Sequence, residues 1–117
     1  MANEVNVSVS LSYEKNGVRA LREESFKADV AGDSMTHAIQ AVGTSFELLT
    51  EHGEVGTAGL YFLKNLDGTN FVEFGEGDNE FAIKLLPGES TVFRASDPIG
   101  GKANTAECLV EYMVIEL

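Results

Sequence analysis

Tryptophan is absent from this chain, cysteine occurs once, and histidine and proline occur twice each. Each scarcity removes a class of explanation. A lone Cys108 forms no internal disulfide, so the fold rests on packing, and a reducing compartment is compatible with it. Leu109 and Val110 follow Cys108 in an apolar run, where a small buried side chain is expected. His37 and His52 fall in different segments without HExxH or CxxC spacing, so no transition-metal site is expected and both imidazoles read as solvated or satisfied. There is no GxSxG elbow, and Cys108 has no evident basic neighbour to lower its pKa. The chain therefore reads as a non-enzyme.

Basic residues are also few. Eight lysines and arginines stand against nineteen acidic residues, for a formal net charge of −11. The imbalance is uneven: residues 1–30 carry four basic and five acidic side chains, a net of −1, and the rest of the chain carries −10. Affinity for a nucleic-acid backbone comes mainly from cations that displace counterions along the phosphates, so nucleic acid is not an expected partner. Anionic membrane surfaces are disfavoured for the same reason. No apolar run approaches the length of a membrane span, and the opening Met1-Ala2-Asn3-Glu4 shows no basic region followed by an apolar stretch. Synthesis in a cytoplasm is expected.

What is present is alternation. Val5, Val7, Val9 and Leu11 alternate with Asn6, Ser8 and Ser10, the pattern of a half-buried strand. Asn16-Gly17 makes a turn, and Phe26, Ala28 and Val30 place a second strand over about residues 21–30, closed by Ala31-Gly32-Asp33-Ser34. Residues 35–43 suit a strand better than a short helix, and residues 46–49 form a brief one. His52-Gly53-Glu54-Val55-Gly56 reads as loop. Residues 59–63 and 71–74 flank Asp67-Gly68 and predict a hairpin. Further strands are expected over residues 81–85, 91–95 and 106–117, with a turn at Pro87-Gly88 and a loop at Pro98-Ile99-Gly100-Gly101. Eight or nine short strands with little helix predict an all-β fold, an antiparallel, jelly-roll-like β-sandwich occupying residues 1–117 as one domain.

In the last strand both alternating sets are largely apolar: Cys108, Val110, Tyr112 and Val114 on one side, Leu109, Met113 and Ile115 on the other. Such a strand requires cover on both faces. Met113 and Ile115 are accordingly the expected contacts with a sister subunit or another partner. Glu73, Glu76, Asp78 and Glu80, with Asn79 among them, form the one cluster able to hold a hard cation, yet its spacing matches no EF-hand loop and a solvated acidic turn is the simpler reading. Gly75-Glu76-Gly77 carries acids where a phosphate loop needs bare amides and a lysine.

Three segments together resemble a known family: Gln40-Ala41-Val42-Gly43-Thr44, then residues 59–75 with Lys64-Asn65-Leu66-Asp67-Gly68-Thr69-Asn70-Phe71-Val72, then Leu85-Leu86-Pro87-Gly88-Glu89 with Phe93-Arg94. An IGT-like element, a KNLDxTNFVxxG hairpin and an LxPGE turn are similar to those of small virion structural proteins of tailed bacteriophages. The similarity runs from about residue 38 to 95. It makes Asn65, Asp67, Gly68, Asn70 and Phe71 the hairpin motif, and implies neither catalytic residues nor a cofactor. It implies a virion component, foremost a capsid decoration (cement) protein that binds the outer surface of the shell, with the major capsid protein as partner and a homotrimer as the oligomer. A tail or neck accessory protein is the alternative within that family. A carbohydrate- or receptor-binding β-sandwich is the alternative outside it, with Tyr13, Tyr61 and Tyr112 as the candidate aromatic platforms.

Overall fold

The computed structural model describes residues 4–30, 35–50 and 58–116. These residues form ten strands and no helix, the all-β architecture that the alternation predicts. The chain divides into two compact units, Met1–Ala31 and Gly32–Leu117, where the hydropathy pattern suggests one sandwich over residues 1–117.

The first unit is a long hairpin. Strand β1 (Val5–Lys15) pairs antiparallel with β2 (Val18–Ala28) through eleven residue pairs, from Val5 opposite Ala28 to Lys15 opposite Val18. Asn16 and Gly17 both take positive φ, 53° and 82°, which is the type I′ geometry whose twist suits a two-residue turn. Beside the turn, Arg19 Nε lies 2.7 Å from Glu14 Oε2, and Arg22 pairs with Glu24. The expected half-buried strand is not half-buried: of all its residues only Val7 is buried, and Leu11 is 73% exposed. Alternation correctly sorts the side chains onto two faces, but among the described residues β1 and β2 pair only with each other, and a two-stranded ribbon contains no second layer to cover either face.

The second unit consists of two four-stranded antiparallel sheets with a common core. One sheet has the order β3 (Met35–Val42), β10 (Cys108–Glu116), β5 (Ala58–Asn65), β8 (Ser90–Arg94). The other runs β4 (Glu47–Leu48), β9 (Gly100–Ala103), β6 (Val72–Gly75), β7 (Phe81–Leu85). Their inward side chains meet in one cluster: Val42, Tyr61, Leu63, Cys108, Val110, Tyr112 and Val114 from the first sheet, and Val72, Phe74, Leu85 and Ala103 from the second, with Leu49 and Ile99 between. The period-two spacing of these residues accounts for their placement on inward faces. Tyr61 stacks on Phe93 at 5.5 Å and accepts a hydrogen bond from the Ile99 amide through its hydroxyl. Tyr112 donates to the Thr50 carbonyl at 2.6 Å. Each buried phenol thus satisfies its polar end.

Two sequence expectations change here. The segment from Leu60 to Phe74 is not a hairpin, since β5 and β6 belong to different sheets. Its turn carries the chain across the sandwich, as the Pro87-Gly88 turn does between β7 and β8. Gly100 and Gly101 lie in strand β9 rather than a loop; a Cβ on Gly100 would collide with the Glu47 carbonyl, and one on Gly101 would sit 3.0 Å from the Phe74 ring. Glycine marks close approach there, not a turn. Strand β10 is covered on one face only by its own unit. Val110, Tyr112 and Val114 are buried, while Leu109 is 51% exposed and Met113 and Ile115 are half-buried. The loop expected at residues 52–56 and the turn expected at residues 31–34 lie outside the described residues.

Candidate functional site

The motif residues assemble around one buried amide. Asn65, at the end of β5, is fully buried, and its Nδ2 donates to the Asn70 carbonyl at 2.9 Å and the Leu85 carbonyl at 3.1 Å. Its Oδ1 accepts from the Asp67 amide at 2.9 Å. Its backbone is bound as well: the Asn65 amide donates to the Glu89 carbonyl, and its carbonyl accepts from the Gly88 amide, both at 3.0 Å. A primary amide in a low-dielectric core requires this degree of satisfaction.

Asp67 organises the outer half of the same turn. Its Oδ2 accepts from the amides of Asn70 at 2.6 Å and Thr69 at 2.9 Å. These two donors hold the Asp67 carboxyl below the usual aspartate range, with the Asn70 amide the larger cause. Gly68 closes the turn between them. Glu89 performs a similar role in the second turn, where its carboxylate accepts from the Leu86 amide at 2.8 Å. The KNLDGTN and LLPGE segments are therefore two halves of one double arch joined at Asn65. Phe71 stands beside it, half-buried, with Lys84 Nζ 4.1 Å from the centre of its ring and its amide bonded to Asn104 Oδ1.

The outward face of the first sheet is the second candidate. Cross-strand register places His37, Met113, Phe62 and Val92 in one row, and Met35, Ile115, Leu60 and Arg94 in the next. Ile39, Glu111 and Lys64 form a third row, in which Glu111 Oε2 also lies 2.9 Å from His37 Nε2. Met113 and Ile115 thus sit within an apolar strip that includes the exposed side chains of Met35, Ile39, Val92 and Leu109. Glu111, Lys64 and Arg94 are the charged side chains in these rows.

The remaining candidate residues do not converge. Cys108 is buried, and burial pushes its thiol up, with the Asp67 charge a second cause. His37 lies on the outer sheet face, and His52 lies outside the described residues. Glu73 faces Lys84 on one neighbouring strand and Lys102 on the other, while Asp78 Oδ1 lies 3.7 Å from Lys102 Nζ. The acidic turn is thus supplied with lysines, and among the described residues no three histidines, cysteines or acids gather as a metal-binding group. Of the tyrosines considered as sugar platforms, Tyr61 and Tyr112 are buried and Tyr13 is exposed on β1. An open pocket of about 410 Å³ between edge strands β7 and β8 escaped the sequence reading; Ile83, Phe93, Glu80 and Arg94 are among the residues that line it. Its residues are separated in sequence, so no local motif announces it. No family model, curated protein or solved structure matches the chain.

Proposed function

We propose that this protein is a structural component of a tailed-bacteriophage virion, a capsid decoration protein that binds the outside of the major capsid shell as a homotrimer. The observation that carries the reading is the double arch. The residues on which the family resemblance rests, Asn65 to Asn70 and Leu85 to Glu89, bond to one another across both sheets. A motif used in this way fixes how the sandwich is built, and the virion assignment rests on the resemblance of these segments to those of small virion proteins.

Charge and surface agree with the role. A net charge of −11 keeps the free protein soluble at high concentration and repels it from packaged nucleic acid. The apolar strip around Met113 and Ile115 supplies a face for the shell, and a closed trimer multiplies three weak contacts into a firm one.

Co-sedimentation with purified shells of a tailed-bacteriophage major capsid protein, chosen by whether its gene neighbours that of this chain, tests the proposal. Saturable binding is expected, weakened by Met113→Asp while the shell stays intact. Failure to bind shells, with recovery of the protein in tail fractions of disrupted virions, would overturn decoration in favour of the tail or neck.

A further inference from the structure

We propose that copies of this protein associate through their hairpins, the apolar faces of β1 and β2 from the sister copies packing on one another. The inference does not depend on the virion reading, because it follows from the hairpin alone.

Register divides the hairpin sharply. Val5, Val7, Val9, Leu11 and Tyr13 of β1 share a face with Val18, Ala20, Phe26 and Ala28 of β2, and three charged side chains interrupt it: Arg22 opposite Leu11, Glu24 opposite Val9 and Lys15 opposite Val18. The opposite face carries Asn6, Ser8, Ser10, Ser12 and Glu14 with Arg19, Glu23, Ser25 and Lys27, and Leu21 is its one large apolar side chain. Isolated two-stranded ribbons are at best marginally stable in water; a ribbon gains independent stability by laying an apolar face on another layer. Eleven residue pairs present a face long enough to use.

Area and charge both select a second copy as the occupant. Val9, Leu11, Tyr13, Val18 and Phe26 are between 47% and 73% exposed. With about 150–250 Å² for an aromatic side chain and somewhat less for Val and Leu, they leave on the order of 500 Å² per copy. Two such faces remove about 1,000 Å² from water, the size at which a specific interface begins. Self-association through the second unit would oppose two bodies of net charge −10, whereas the hairpin unit carries only −1. The two central charges on its apolar face, Arg22 and Glu24, already pair with each other. The hairpin is therefore the part of the molecule that approaches its own copy with least repulsion.

Sedimentation velocity of the full chain at tens of micromolar tests the proposal. The native protein should sediment as an oligomer, Leu11→Asp with Tyr13→Asp as a single copy, and Ser10→Asp with Ser12→Asp, on the opposite face, as the native oligomer. Because acidic substitutions could also unfold the ribbon, Leu11→Cys and Ser12→Cys are compared under mild oxidation: Leu11→Cys should join copies covalently and Ser12→Cys should not. A native protein that sediments as a single copy overturns the inference, as does equal cross-linking of the two cysteine variants. An oligomer that Met113→Asp dissolves and the Leu11 and Tyr13 substitutions leave intact also overturns it, placing the contact on the sheet instead. Shell binding is read separately, so its failure would remove the virion reading and leave this result standing.

Discussion

The side chain of Asn65 and the main chain of Leu85 are joined by a 3.1 Å hydrogen bond that crosses from one sheet to the other. A second donation from the same Nδ2, to Asn70, completes the amide's donors. Replacing Asn65 by Leu strands the Leu85 and Asn70 carbonyls and the Asp67 amide. At about 1–3 kcal/mol for a buried group left unpaired, urea titration should show a loss of at least about 3 kcal/mol. Asn65→Asp is a sharper test, since the introduced carboxylate would face two carbonyl oxygens. Its folded-state pKa must then rise above the unfolded value, so the variant should be most stable below the unfolded aspartate value, about 3.9, and lose stability as the pH rises from there toward the raised folded one.

Phe74 and Phe71 should separate in the same assay. Phe74 is fully buried among core residues of both sheets, and Phe74→Ala should cost about 3–5 kcal/mol. Phe71 is half-buried with Lys84 over its ring. Its removal should cost far less, including about 0.5–1 kcal/mol for the cation–π contact. Equal losses would contradict this placement of the two rings.

Asp67 gives the fold a defined acid sensitivity. Its folded-state pKa is depressed by the Asn70 and Thr69 amides, so the unfolded state takes up a proton first as the pH falls. The contribution is fully present above the unfolded aspartate value, about 3.9, and is lost as the pH falls through the lower folded one. Asp67→Asn should flatten this part of the pH–stability curve below about pH 4, which thermal melts across that range will show.

The Cys108 thiol should be silent in the native protein. It is buried, and burial raises its pKa, so the reactive thiolate is scarce near neutrality. Iodoacetamide labelling should be slow in buffer and fast in denaturant. Rapid labelling of folded protein would mean that β10 opens locally.

Much of the strand pattern is legible in the sequence, because side-chain alternation is a local property. Val110, Tyr112 and Val114 are recognisable as one face from their spacing alone, and they are buried together. What local pattern does not carry is the identity of a strand's neighbour. Asp67-Gly68 reads as a hairpin turn because those residues favour tight turns whichever sheet the next strand enters. The destination is fixed by Asn65, whose partner Leu85 lies twenty residues away, so the amide looks like an ordinary turn residue until the two arches are seen together. Leu109 shows the converse. Its apolar character suggests burial, yet more than half of it meets solvent. The motif segments are likewise legible as turns, while their meeting at one amide and the pocket between β7 and β8 both depend on contacts distant in sequence.

Strand β10 lies between β3 and β5 and is hydrogen-bonded to both, yet it is the last of the described strands to be synthesised. While it remains inside the ribosome, β3 has no neighbour in its sheet, and β5 and β8 can form only a two-stranded fragment. Domains generally fold as units, the N-terminal one first during synthesis, and the second unit has to wait for its final strand. Its nascent chain leaves the tunnel with Tyr61, Leu63 and Phe74 uncovered, and the interval before Cys108–Glu116 emerges is when chaperones have access to those side chains and when aggregation competes with completion of the sheet.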